Sequence, residues 1–596
     1  MSTYIAPVRD MMFAMNELAG LDEISTLAGY EDATPDLVEA ILDEAGKFAT
    51  EVLAPINASG DREGNRWADG EVFTAEGFKA AYQSFCETGW NGMPAGIEFG
   101  GQGLPITVST AVLEMWKSAN MSFSLCQMLT LGAVEAIAHH GSEELKSTFL
   151  PNMVSGQWTG TMNLTEPQAG SDLAAVRSRA VPREDGSYLI SGTKIFITWG
   201  EHDMAENIIH LVLARLPDAP PGVKGISLFV SPKFLVNADG TLGARNDLVC
   251  ASIEHKMGIH ASATAVMAFG EKEGAIGYLV GEPNRGLEYM FTMMNHARLN
   301  VGLEGVAISE RAYQQALAYA LERVQGRIIG DPPGEKKPIL HHPDVRRMLM
   351  DMKARTEATR AVAYYVAGCM DRAKAHADNS VRAQSQARLE LLTPVVKGWC
   401  TEMAQGVTWN GIQVHGGMGF IEETGACQHM RDARITTIYE GTTAIQANDL
   451  IGRKIAREGG KAMAALIVEL KATCQQLSDH SDARLRGIGT ALERGTRALQ
   501  EATDWLLANY DANPKQAAAG AVPFLKLTGH VVGGWLMARM ATTAHARLGA
   551  EDGEFCSGKI VTARYYAEHV LPEAQAMRDA IVAGADSVLD LPENLF

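Results

Sequence analysis

Glu440 stands in the run IYEGTTAIQ, Ile438 to Gln446, between a tyrosine and a glycine. No lysine or arginine lies within five positions on either side. On its own such a residue is an ordinary solvated surface glutamate. The flanking residues suggest another use. Ile438 and Tyr439 read as buried, and Gly441-Thr442-Thr443 opens a helical segment, AIQANDLIGRK. A carboxylate at a loop-to-helix junction can point into an apolar cavity. Desolvation then raises its pKa toward the working pH of a proton-abstracting base. The following glycine lets another molecule approach the backbone closely.

Three other runs hold residues placed for chemistry. GGMGF, Gly416 to Phe420, has three glycines in four positions, which suits a backbone approached by a ligand; a plain loop reads the same way. It is not the GxGxxG fingerprint, and the strand–helix alternation of a dinucleotide fold is missing. TMNLTEPQAGSD, Thr161 to Asp172, carries the turn signals Glu166-Pro167 and Ala169-Gly170, with the hydroxyls of Thr165 and Ser171 on either side. KIFITWG, Lys194 to Gly200, alternates like a strand with Phe196 and Thr198 on one face. Taken alone, Phe196 reads as core packing. His341-His342 with Asp344 matches no common metal spacing and sits in a proline-rich loop, so no metal is expected. A Gly-x-Ser-x-Gly elbow and a P-loop are absent.

The elements that must position these residues follow from texture. The 596 residues suggest about four units at ~150 residues each. A formal charge of −19 argues against nucleic acid as the main partner. The eight cysteines form no CxxC pair and read as reduced thiols. MMFAM is too short for a signal peptide or a membrane span, and a cytoplasmic protein is expected. Residues 1–157 read helical, with Thr34-Pro35 as a start signal. Residues 158–285 read as a β-domain: SYLISGTKIFITWG as two β-runs around a Ser-Gly turn, and NIIHLVLAR and GISLFV as short strands. Residues 286–455 return to helices, interrupted by the loop RIIGDPPGEKKPILHHP. Residues 456–596 form a further helical unit, with a packing seam at Leu485, Ile488, Leu492, Gly495, Leu499, Ala502 and Leu506.

LTEPQAGSD, KIFITWG, QVHGGMGF with RDARI, and IYEGTTAIQ, in that order, resemble the acyl-CoA dehydrogenase family over about residues 35 to 455. The resemblance implies a mainly α, α+β fold: an N-terminal helical domain, a β-barrel-like middle domain, a helical bundle, and an added C-terminal helical domain as in larger members. It implies FAD between the middle domain and the bundle. Leu164, Thr165 and Ser171 match positions that hydrogen-bond the flavin ring and the acyl-CoA. Phe196 and Thr198 match residues behind and beside the ring, Phe196 standing where a tryptophan is frequent. Arg323, Gln413, Gly416 and Gly417 match contacts to the adenine–pyrophosphate half across a dimer interface. Thr442 matches another FAD contact, and Ala444 stands where a glutamate is more usual. Arg298, Tyr439 and Gly441 match substrate-side positions. Glu440 matches the base that removes the α-proton of the thioester while the flavin takes the β-hydride, with the enolate oxygen held by the backbone N–H of that glutamate and a ribityl hydroxyl. Some relatives place the base just before the position of Arg298; here that residue is Ala297, which cannot serve.

YIAPVRDMMFAMNEL, KIFITWGEHD, the RIIGDPPGEKKPILHHPDVRRML insertion and the C-terminal extension resemble a bacterial subgroup that dehydrogenates 3-(methylthio)propanoyl-CoA in sulfur-compound breakdown. Dehydrogenation of ordinary short- to medium-chain acyl-CoA, an acyl-CoA oxidase, and a flavin-free helical CoA-binding protein are the other readings. The resemblance also implies an electron-transfer flavoprotein as electron acceptor. By analogy the C-terminal domain covers the surface through which smaller relatives pair dimers, giving a homodimer.

Overall fold

NIIHLVLA and SLFVSP are apolar at almost every position, the pattern of strands buried on both faces. They form the strands Asn207–Ala214 and Ser227–Pro232, buried throughout. The computed structural model describes residues 4–332, 334, 336–549 and 552–596. Its chain divides into two compact units. One comprises Met1–Glu44, Ile106–Glu114 and Arg298–Phe596, the other Ala45–Pro105 and Met115–Ala297.

The second unit is built on an eight-stranded sheet. Its order runs Leu248–Ile253, Thr264–Phe269, Tyr188–Thr198, Ala275–Val280, Ser227–Pro232, Asn207–Ala214, Trp158–Asn163, with Arg179–Pro182 also paired to Tyr188–Thr198. Pairing is antiparallel except between Trp158–Asn163 and Asn207–Ala214. The expected turn at Ser191-Gly192 is absent: Tyr188–Thr198 is one continuous strand, and Gly192 pairs with Phe269. Glycine serves close approach there, since a Cβ would lie 2.3 Å from Ser178 Oγ. Helix Met121–His140, capped by Asn120 accepting from Phe123 N–H, packs on Trp158–Asn163. Gly160 makes that contact possible, because a Cβ would stand 2.6 Å from that of Ala133. By length and composition this helix could cross a membrane, yet 89% of its most apolar window is buried inside the fold. It is the core helix of the unit, beside an aromatic cluster in which Phe85 meets Trp116 edge-on at 4.8 Å.

The first unit is helical. Its core sets Ala312, Ala316 and Ala320 of helix Gly286–Glu322 against Met348 and Met352 of Pro343–Ala375 and Val407 and Val414 of Thr401–His415. Between Asn379–Val395 and Thr401–His415 the chain makes a π-helical turn, Val396–Cys400. Gly302 and Gly305 let helix Gly286–Glu322 lie directly on it: Cβ atoms there would come within 2.7 Å of Val396 O and 2.6 Å of Cys400 O. On the other side Gly529 and Gly533 of Ala521–Ala546 receive the Trp399 ring, whose Nε1–H donates to His530 at 3.2 Å. The seam residues Leu485 to Leu506 are all buried along Ala483–Asn509. All eight cysteines are free thiols.

Candidate active site

Helix Ala426–Thr436 ends in a turn, and Thr443–Asn448 begins the next helix. Glu440 and Gly441 lie between them, both left-handed, at φ +52° and +87°. A non-glycine residue at positive φ is held there by its surroundings. Gln446 supplies the hold, donating from Nε2 to Glu440 O at 3.2 Å and Gly441 O at 3.4 Å. Thr443 N–H closes the turn on Thr437 O at 3.0 Å. Thr442 caps the new helix, its hydroxyl accepting from Ile445 N–H at 3.3 Å.

Glu440 is half-buried, and its carboxyl accepts no hydrogen bond from the described residues. Burial raises its pKa above the ordinary carboxylate value; Lys397 first and Arg298 second pull it back only in part. Neither cation is near in sequence. Lys397 comes from the π-turn and Arg298 from helix Gly286–Glu322, where Nη1 donates to Asp449 at 3.0 Å. Tyr439 hydroxyl donates to the buried Glu304 carboxylate, and burial followed by that charge holds the phenol well above its usual pKa. Ile438, expected to be buried, is 45% exposed. The turn leaving the helix, with Ile438 and Tyr439 N–H both bonded to Ile435 O, carries Tyr439 inward and Ile438 out.

Helix ends carry a second group. Arg323 follows Glu322 at the end of its helix, exposed and with no side-chain partner among the described residues. Gln413 is exposed near the end of Thr401–His415, and Gly416 and Gly417 follow it. The Tyr319 and His415 rings stack at 4.5 Å and hold these two ends side by side. Gly416 has φ +62° and ψ −141°, a region essentially reserved for glycine, and Cβ atoms on Gly416 or Gly417 would meet nothing within 4 Å. Phe420, closing the same loop, is 83% exposed.

In the sheet-bearing unit, Leu164, Thr165, Phe196 and Thr198 come together. Ile195 N–H donates to Thr165 O at 2.9 Å, and Lys194 Nζ to Leu164 O at 3.2 Å. The register slips by one residue between Lys194 and Ile197, a β-bulge. Ile190 and Lys194, at even positions, face the interior; the bulge hands that role to Ile197 and turns Phe196 outward at φ +59° and 58% exposure. Phe196 is therefore not core packing. Ser171 is exposed beyond a turn closed by reciprocal Glu166–Ala169 backbone bonds of 3.0 and 2.9 Å.

Sequence reasoning read Glu166 only as a turn signal. Its carboxylate accepts from Lys194 Nζ at 2.8 Å, Ser178 Oγ at 2.6 Å, Ser178 and Arg177 N–H, and Gln168 Nε2. Burial alone would raise its pKa; Lys194 and these donors outweigh it and hold the carboxyl at about 2. Glu166 thus pins the turn carrying Leu164, Thr165 and Ser171 to the strand carrying Phe196. A hidden partner at the other end of an ion pair leaves no local signal. A cavity of 180 Å³ in the same unit, lined by Asp61, Asn65, Glu254 and Ser262 among others, contains none of the expected site residues.

Family models match almost the whole chain: the acyl-CoA dehydrogenase N-terminal domain at 35–157, the middle domain at 161–271, the C-terminal domain at 284–455, and the acetyl-CoA dehydrogenase C-terminal-like domain at 466–592. The chain belongs to the acyl-CoA dehydrogenase family. It is 50% identical to the 3-methylmercaptopropionyl-CoA dehydrogenase of Ruegeria pomeroyi over 98% of this chain and 99% of that protein. It is 37% identical to a butyryl-CoA dehydrogenase of Syntrophomonas wolfei, covering 100% of this chain and 99% of that one. The fold of an acyl-CoA dehydrogenase from Bacillus anthracis complexed with FAD superposes with TM-score 0.74 at 20% identity, over 96% of this chain and 91% of the other. The protein is an FAD-dependent acyl-CoA dehydrogenase, with the extra C-terminal helical domain of the family's larger members.

Proposed function

We propose that Glu440 is the base that removes the α-proton of the acyl-CoA thioester, and that the preferred substrate is 3-(methylthio)propanoyl-CoA, oxidised to 3-(methylthio)acryloyl-CoA. The observation that carries the base assignment is the Glu440 turn: a carboxylate that meets no hydrogen-bond donor among the described residues, with its pKa raised by burial, beside a glycine at φ +87°. A carboxylate stripped of donors is a stronger base than one in water. Tyr439, tied to Glu304, and Arg298, tied to Asp449, line the substrate side and are held rigid by those partners. The backbone N–H of Glu440 serves as a donor to the developing enolate oxygen.

The residues fit a flavin nucleotide. Phe196 offers a ring that is 58% exposed; Thr198 follows on the same strand, Leu164 and Thr165 are bonded to the neighbouring Lys194 and Ile195, and Ser171 is exposed beyond the turn they lead into. Gly416 and Gly417 leave open backbone, with Arg323 and Gln413 exposed beside them for the adenine–pyrophosphate half across a homodimer interface. Thr442, whose hydroxyl caps its helix, is assigned a further contact to FAD. When bound, FAD supplies the acceptor for the β-hydrogen and its electron pair. An electron-transfer flavoprotein takes the electrons onward, in the cytoplasm.

The substrate assignment rests on the identity to the Ruegeria pomeroyi enzyme along the whole chain. Steady-state kcat/KM with 3-(methylthio)propanoyl-, butyryl- and octanoyl-CoA tests it: the sulfur thioester is expected to lead by at least about tenfold. A preference for either fatty acyl-CoA removes the sulfur assignment. Stoichiometric peroxide release in air, without an added acceptor, would make the enzyme an oxidase.

A further inference from the structure

Lys397 is fully buried on the π-turn Val396–Cys400. Its Nζ donates to Thr436 O at 2.9 Å, and Thr436 is the last residue of the helix from which the Glu440 turn departs. An ammonium carries three donors; Thr436 O is the one hydrogen-bond acceptor it meets among the described residues. The other charged groups nearby have partners of their own. Arg298 donates to Asp449 at 3.0 Å. Glu402 accepts from Thr443 Oγ1 at 2.7 Å and pairs with Lys526 at 2.9 Å. Glu304 accepts from Tyr439. Neither the Lys397 ammonium nor the Glu440 carboxylate forms an ion pair among the described residues, and each lies in the other's field.

We propose that Lys397 is a positioning residue of the dehydrogenase site: its ammonium fixes the end of the helix from which the Glu440 turn departs and supplies the positive field that keeps Glu440 ionised in its desolvated recess. The inference rests on Glu440 being the base. The packing explains why the lysine is placed so firmly. Gly302 brings helix Gly286–Glu322 onto the π-turn from one side, and Gly398 lets Leu525 and Gln446 close from another. Gln446 is the residue that also holds the Glu440 and Gly441 carbonyls, so turn and lysine share one scaffold. Among the charges facing Lys397, Glu440 acts most strongly and Glu304 next, while Arg298 opposes them; burial outweighs the attraction and brings the ammonium down to about 8, still charged at neutral pH.

A mere anchor and a charge device differ in their pH behaviour. Removing the positive field raises the Glu440 pKa further, so the acid limb of kcat/KM moves to higher pH. Losing only an anchor lowers activity alike at every pH. Lys397→Gln keeps a donor toward Thr436 O and discards the charge; Lys397→Met discards both and fills the same volume. The expected result is an upward displacement of the acid limb by about one pH unit or more in both variants, with activity converging on the wild type at alkaline pH and flavin content unchanged. An unmoved limb in both, or in Lys397→Gln alone, would overturn the proposal in favour of an anchoring role. Glu440→Gln is assayed alongside: if it keeps turning over, the base assignment fails. If it is inactive while the lysine variants leave the limb in place, only the lysine inference fails.

Discussion

Two glutamates of this chain are surrounded by protein and have opposite fates. Glu166, in the sheet-bearing unit, accepts five hydrogen bonds and is held at about 2. Glu440, in the helical unit, accepts none from the described residues and is pushed up. Desolvation is the largest influence on both. What separates them is whether donors converge on the charged form. A saturated carboxylate has no lone pair to offer and acts as a fastener. A starved one is ready to take a proton, provided cations in its field prevent it from staying protonated. The backbone follows the same division: Glu440 sits at φ +52° on a turn secured through Gln446, leaving its own side chain unused.

The comparison breaks most visibly if the roles are exchanged by mutation. Glu440→Gln is expected to lower kcat by at least about 10²–10⁴-fold, the range for a general base, with FAD content and fold preserved. Glu166→Gln is expected to do the reverse. It leaves Lys194 buried without its counter-charge and costs about 3–5 kcal/mol of stability, read as a lowered denaturant midpoint. The pH dependence has a definite sign. The Glu166 carboxyl is depressed, so its contribution is full above the unfolded value of 4.5 and is lost as pH falls toward 2. The Glu440 carboxyl is raised, so its ionised form burdens the fold at neutral pH, and Glu440→Gln should be at least as stable as the wild type there. That advantage should disappear as pH falls below 4.5.

Two smaller substitutions sharpen the contrast. Gly441→Ala places a Cβ 2.7 Å from Gln446 Nε2 at φ +87°, a strain of about 1–2 kcal/mol. It should reduce turnover by misplacing the Glu440 turn more than it reduces stability, because Gln446 can yield. Phe196→Ala removes a ring that is 58% exposed. Protein stability should barely change, while FAD affinity falls by about tenfold or less, the size of one aromatic contact at about 0.5–1.5 kcal/mol. Equilibrium dialysis of FAD against both proteins measures it.

These contrasts also mark where the sequence was readable. The helix–β–helix–helix order, the seam from Leu485 to Leu506 and the Glu440-Gly441 junction are local patterns, and local periodicity or a single glycine reveals them. The partners of those residues are not local. Lys397, on a π-turn, bonds the helix end before the Glu440 turn, and Lys194 reaches back 28 residues from its strand to Glu166, so neither spacing signals the partnership. The strand around Phe196 misled for a related reason. Alternation assumes unbroken register, and the bulge between Lys194 and Ile197 reverses which side chains face out. Gly192 looked like a turn because glycine usually marks one; here it makes room for Ser178.

The most direct test of Glu440 is anaerobic single-turnover mixing with 3-(methylthio)propanoyl-CoA, following loss of the flavin absorbance band across pH for the wild type and Glu440→Gln. Rapid bleaching is expected in the wild type, with an acid limb above 4.5, the ordinary value for glutamate, and no bleaching in Glu440→Gln. Bleaching of Glu440→Gln at the wild-type rate would contradict the assignment and place the base on another residue.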